Sequence, residues 1–187
     1  MKTKHLLGTL MLFLFTFTFI SCDKDENGFS KEDIQQALFE MKGTYHGTVH
    51  VSGPNGFDQT LQNAITISYD SLKFNLSLQP YMELISDEVL SDRFSEIGEI
   101  EVIAGYYFDQ RDDSTINFTL NPKDIEILGG FGAPPTIRIV FSKNYGGDAL
   151  VNANFIAFNV SPIELWINGD KYEDFPKIVY HFEGVYE

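Results

Sequence analysis

The chain runs to 187 residues, with 27 acidic against 13 basic side chains and a formal charge of −14. A surface of that sign repels phosphate backbones and anionic headgroups, which argues against nucleic acid as a partner. A single cysteine allows no internal disulfide, so the fold has to rest on a buried core, for which this length suffices.

Lys2 and Lys4 open the chain, Leu6 to Ile20 is almost wholly apolar, and Ser21 places a small residue ahead of Cys22. That order is a secretory signal peptide: basic start, apolar stretch, small-residue cut site. The apolar stretch includes Gly8, Thr9, Thr16 and Thr18 and falls short of the roughly 20 predominantly apolar residues of a spanning helix. Phe19-Ile20-Ser21-Cys22 resembles the lipobox of bacterial lipoproteins, in which the cysteine is lipidated and becomes the new N-terminus. The resemblance implies removal of residues 1–21 and a membrane held through acyl chains, palmitate among them, on Cys22. One such chain binds marginally, and two or more hold stably. An ordinary signal peptide with an incidental cysteine is the competing reading. Loss of Lys2 and Lys4 leaves 11 basic residues against 27 acidic, a formal charge of −16.

Residues 22–29 follow as an acidic tether, with Asp23-Lys24-Asp25-Glu26-Asn27-Gly28 free of apolar side chains. Lys24, Asp25 and Glu26 resemble the export signal that carries Bacteroidetes lipoproteins to the outer surface. This implies an outer-membrane location, surface-exposed or else periplasm-facing. Asp23, Asp25, Asn27 and Gly28 imitate the first half of a calcium loop. The position that should carry its bidentate carboxylate falls on Ile34, so no calcium loop is expected.

Residues 30–187 read as a single β domain with a helix ahead of it. Ser30 and Asp33 make a shortened capping box; Ile34, Ala37, Leu38 and Met41 form one apolar stripe; Gly43 is the expected stop. From Gly43 the period changes to two, first through Tyr45, Val49 and Val51, then through Ile65, Ile67 and Tyr69, then through Leu72, Phe74, Leu76 and Leu78. Pro54-Asn55-Gly56 and Asp70-Ser71 mark turns. Tyr81 to Phe94 predicts one short helix. Alternation resumes over Ile100–Phe108 and Ile116–Leu120, and Asn121-Pro122 predicts a turn. Short strands follow at Ile125–Ile127 and Ile137–Phe141. Leu150 to Val160, apolar in both phases, predicts one long strand with a bulge or with burial on both faces. Ile163–Ile167 and Ile178–Phe182 finish the chain. Roughly ten strands with linkers too short for parallel crossovers predict an all-β, antiparallel barrel, or a flattened barrel or sandwich.

A helix followed by Gly43-Thr44-Tyr45-His46-Gly47-Thr48-Val49 and hairpins resembles small Bacteroides lipoproteins with calycin-like domains. The resemblance implies a lipocalin-like barrel and no established activity, so no functional residue carries over. The inward phase, with Phe74, Leu76, Phe108, Phe118, Phe141 and Phe182, is bulky enough to fill a small barrel. Gly47, Ala104 and, depending on the bulge, Ala153 or Ala157 are the exceptions; Gly47 and Ala104 at one level would leave a void beside Tyr45 and Tyr106.

Chemistry is sparse. His46, His50 and His181 fall on the polar phase of their strands. The first two are ~13 Å apart along one strand, too far to share a metal. His181 approaches them only if the first and last strands pair, and neither metal nor cofactor is expected. No Gly-x-Ser-x-Gly elbow occurs, and the glycine-rich run 129–135 leads into a strand rather than a phosphate-binding helix. Acid pairs such as Asp87-Glu88 and Asp112-Asp113 read as solvated turn acids; a glycosidase pair would have to face across a cleft, which spacing along the chain does not show. No catalytic residue emerges. Trp166, on the outward phase, is a candidate with Tyr106 and Tyr107 for a glycan- or protein-binding platform. Cover by the N-terminal helix is the competing account of Trp166. Asp70-Ser71-Leu72 and Asp113-Ser114-Thr115 resemble the acceptor triplet of Bacteroidetes O-glycosylation, which makes Ser71 and Ser114 candidate sites. The expectation is a lipid-anchored barrel that binds a small ligand, glycan or envelope protein without acting on it. The alternative is an accessory enzyme acting on saccharides through a carboxylate site.

Overall fold

The computed structural model describes residues 30–68, 70–112, 114–129 and 135–186. Helix α1 (Lys31–Met41) starts on the expected capping box: the Asp33 N–H donates to Ser30 Oγ and the Ser30 N–H to Asp33 Oδ2, each at 3.1 Å. Its stripe faces inward, with Ala37 and Met41 buried and Ile34 and Leu38 packed against the core. Gly43 does not cap it. Lys42 is already extended, and Gly43 opens the first strand, where a Cβ would lie 2.3 Å from the Tyr186 ring.

The strands are β1 (Gly43–Ser52), β2 (Asp58–Ile67), β3 (Leu72–Ser77), β4 (Glu99–Arg111), β5 (Thr115–Pro122), β6 (Ile125–Ile127), β7 (Ile137–Phe141), β8 (Gly146–Leu150), β9 (Phe155–Val160), β10 (Pro162–Ile167), β11 (Asp170–Lys171) and β12 (Val179–Tyr186). Eight of them close an antiparallel barrel in the order β1-β12-β9-β8-β5-β4-β3-β2. The expected all-β antiparallel barrel with a leading helix is the fold of the protein. The remaining four form a second sheet, β11-β10-β7-β6, built where the chain runs past one end of the barrel. At the corner between β9 and β10, the Ser142 N–H donates to the Ser161 carbonyl (2.9 Å) and Ser161 Oγ donates to the Ile178 carbonyl (2.7 Å). Both serines are buried, and these bonds offset their desolvation.

Each end of the barrel is covered. At the end where β1 begins and β4 finishes lies α1, tied by Tyr45 Oη to the Met41 carbonyl (2.9 Å) and by Arg111 to both oxygens of Glu40 (2.8 and 3.0 Å). The opposite end is covered by α2 (Gln79–Leu84), α3 (Glu88–Ile97) and the second sheet; there Tyr81 stacks on Phe175 at 4.7 Å. Between them Phe74, Phe158 and Phe182 meet at centroid distances of 4.6–5.4 Å. These rings fill the interior.

Gly47 leaves no void. It faces Gly184 across the ladder, and a Cβ on it would fall 1.9 Å from the Glu183 carbonyl oxygen. Gly146 and Gly147 repeat the arrangement, each with a backbone oxygen 2.1 Å from where a Cβ would be. The missing side chains let neighbouring strands approach closely as the barrel coils.

Three further expectations change. Tyr81–Phe94 is two helices, because Asp87 caps a second one by accepting from the Leu90 N–H (3.1 Å). Asn121-Pro122 stays within β5, paired to Gly105 and Ala104, at a strand end where the proline's missing N–H is tolerated. Leu150–Val160 is not one bulged strand: a single helical turn, Val151–Ala153, and Asn154 at φ 51° reverse the chain between β8 and β9. Register shifts fall instead in β4, between Phe108 and Gln110, and in β10, between Pro162 and Glu164, the latter leaving Ile163 exposed.

Burial raises the phenol pKa of Tyr45, Tyr81, Tyr106 and Tyr180, that of Tyr106 to about 12 with a further push from Asp70. The unfolded chain therefore releases these protons first. Their contribution to stability is whole below an ordinary tyrosine pKa of ~10 and is lost as pH rises toward the folded values. Phenolate absorbance from these four rings is expected to appear in one cooperative step with unfolding above that point. Titration of these four near an ordinary tyrosine pKa of ~10 with the barrel intact would contradict this.

Candidate functional site

β2 and β3 pair only from Ile65↔Phe74 to Ile67↔Leu72. Beyond that point β2 continues along β1 as far as Ser52↔Asp58, while β3 continues along β4 as far as Ser77↔Glu99. The wall opens between them into a lateral cleft of about 240 Å³. Its floor reaches Val49, Tyr180 and Phe182 of the interior, and its sides carry Gln62, Asn63, Asn75, Ser77, Gln79 and Glu99.

Side chains replace the missing ladder. Asn63 Nδ2 donates to the Asn75 carbonyl, Asn75 Nδ2 to Glu99 Oε2 (3.3 Å), and Tyr180 Oη to the Ser77 carbonyl (2.8 Å). Asn63 stands on the inward phase of β2, two residues from Ile65, where a fully closed wall would take an apolar residue. Carboxamides, a hydroxyl and one carboxylate present donors and acceptors with no cation among the described lining residues. That set matches a neutral, hydroxyl-rich ligand better than an anion. The volume is below the ~300 Å³ of ordinary ligand pockets, so it accommodates one ring or one side group. A wider depression of about 390 Å³, with Lys123 and Lys143 on its edge, lies where β5 leaves the barrel.

Cys22, Lys24, Asp25 and Glu26 lie outside the described residues, as do Tyr69 and Asp113. Trp166 sits in β10 of the second sheet, between Arg138 and Lys171 in register, and donates Nε1–H to Glu164 Oε2 (3.1 Å). This is the barrel end away from α1, so the helix does not cover it. Nor do Tyr106 and Tyr107 join it. They lie on opposite faces of β4, Tyr106 half-buried with its hydroxyl on the Ser68 carbonyl, Tyr107 exposed. Among the described residues no ring contact links these three.

Ser71 is half-buried and tied to Ser68 and Asp70 by its hydroxyl (3.1 and 3.0 Å). Ser114 is exposed in a turn whose Asp112 carboxylate accepts from the Ser114 and Thr115 N–H groups (2.8 and 2.7 Å), which hold that carboxyl below its usual range. The first and last strands do pair, and His50 faces His181 on the outer wall. His181 meets Asn159 (2.8 Å) and Glu183 (3.2 Å), and His50 meets Thr60 (3.1 Å). Among the described residues no three ligating side chains cluster as a metal site, and no helix is long and apolar enough to cross a membrane.

Comparison with family models, with curated proteins and with solved structures finds no match for the chain.

Proposed function

We propose that the protein is an exported, lipid-anchored binding module of the cell envelope, held by acyl chains on Cys22 and related in architecture to calycin-like surface lipoproteins of Bacteroidetes. Its ligand is a neutral, hydroxyl-rich group, such as a glycan terminus, taken up in the β2/β3 cleft. One observation carries the binding reading: the barrel interior is packed with rings and covered at each end, while the wall beside it opens into a cleft lined by hydrogen-bonding side chains. Glu99 is the carboxylate among the described lining residues, whereas glycoside hydrolysis uses two, ~5–9.5 Å apart, so binding without turnover fits the cleft better. A glycan array probed with the chain from Cys22 tests this. Binding is expected to fall about tenfold or more in Glu99→Gln, which takes away the charge that strengthens a hydroxyl's hydrogen bond, and in Gln79→Ala, which removes a hydrogen-bonding partner, both at little cost to the fold. Unchanged binding in both variants, or a hit on sulfated glycans alone, would contradict the assignment.

A further inference from the structure

Four of the eight large apolar side chains exposed among the described residues, Phe39, Leu150, Val185 and Tyr186, lie at the α1 end of the barrel. In register, Val185 of β12 faces Phe155 of β9, which faces Leu150 of β8. All three are on the outward phase of their strands and form a continuous apolar ribbon at the rim. Val185 is 49% and Leu150 38% exposed. Tyr186, 45% exposed, follows Val185 and packs edge-on against Tyr45 at the same rim, and Phe39, 67% exposed, stands on the outer face of α1 at the same end. At the other end Val89, Leu128 and Ile163 are also exposed, but on three separate elements without an exposed apolar partner in register.

The described chain enters through α1, and Cys22 lies eight residues before Ser30. Those eight residues span at most about 28 Å when extended and about 16 Å as a flexible coil. Acyl chains on Cys22 therefore bring the α1 end nearest the bilayer. Aromatic and aliphatic side chains at such a distance settle at the headgroup boundary. We propose that Phe39, Tyr186 and the Val185–Phe155–Leu150 ribbon form a bilayer-resting face, seated on zwitterionic lipid, that turns the second sheet outward. The inference rests on the lipid anchor proposed above. The net charge favours zwitterionic over anionic lipid as the occupant.

The barrel closes and is covered using residues from Ser30 onward, so the chain from Cys22 is a fair unit to test. Its only thiol can be coupled to a maleimide lipid in phosphatidylcholine vesicles carrying brominated chains, whether or not a cell acylates it. Trp166 reports the distal end, and Phe39→Trp in a Trp166→Phe background reports the resting end. The indole placed by Phe39→Trp is expected to be quenched several-fold more than Trp166, and Leu150→Ser with Val185→Ser to remove most of that difference. Equal quenching at both ends would overturn the proposal. So would a dimer in sedimentation that the two serine substitutions split, because the face would then belong to a second copy. Failure of the anchor itself shows separately, as absence of palmitate from the protein made in cells.

Discussion

Gly47→Leu is expected to keep the barrel from closing. The first atom of the new side chain would arrive 1.9 Å from the Glu183 carbonyl oxygen and 2.8 Å from the Gly184 Cα, and neither is a flexible side-chain end. Overpacking against mobile core side chains costs typically ~1–3 kcal/mol, and a strand backbone in a closed ladder yields less readily, so a loss of at least ~3 kcal/mol is expected. Gly47→Ala should show the same direction, since the Cβ alone makes the contact. Denaturant unfolding with near-ultraviolet circular dichroism checks both. An unchanged midpoint in either variant would mean that β1 and β12 can separate at this pair without penalty. The same substitution would have probed an internal ligand site had Gly47 left a void; here it tests strand approach instead.

Phe182→Ala is expected to cost ~3–5 kcal/mol, the usual range for removing a buried ring. Phe182 has no exposed surface and touches Phe74 at 4.6 Å and Phe158 at 4.8 Å, so truncation leaves a hole bounded by rings on two sides. The hole lies under the floor of the β2/β3 cleft, which gives a small aromatic molecule a way in to the exposed ring faces. Toluene should therefore raise the midpoint of Phe182→Ala and leave the wild type unmoved. Equal response of both proteins to toluene would show that the wild-type interior already has room.

Much of the barrel is legible in the chain because period-two alternation marks a strand with one wet face, and strands β3, β6 and β7 fall where that signal lies. β8 escaped because Gly146, Gly147 and Asp148 carry no apolar alternation, and their role depends on strands far away in sequence. The hairpin at Val151–Asn154 escaped for a related reason. Apolar residues on both sides of the turn look like one continuous strand until Asn154 is seen in the left-handed region. The second sheet was hidden by near-continuity: β5 runs into β6 and β9 into β10 with at most two residues between them, and only pairing reveals the change of sheet.

The cleft was the least legible part. It arises where β2 and β3 follow different neighbours, a property of registers rather than of either strand. Its one local signal was Asn63, polar on an inward phase between Leu61 and Ile65. Trp166 is unique in the chain, yet it stands among Arg138, Glu164 and Lys171 on the second sheet, away from Tyr106 and Tyr107. Exposure of Phe39, Leu150 and Val185 could not be read from the chain either. An apolar residue at a strand or helix end is assigned to the core by default, and only the closed ladder shows which way it points.

The reading of the protein as a tethered envelope module depends on Cys22. Metabolic labelling with palmitate in a bacterial host, followed by membrane fractionation of wild type and Cys22→Ala, tests it most directly. Label and membrane association are expected in the wild type, and neither in Cys22→Ala, which should be recovered as a soluble, folded barrel. An unlabelled wild type, or a Cys22→Ala protein that stays with the membrane, would contradict it.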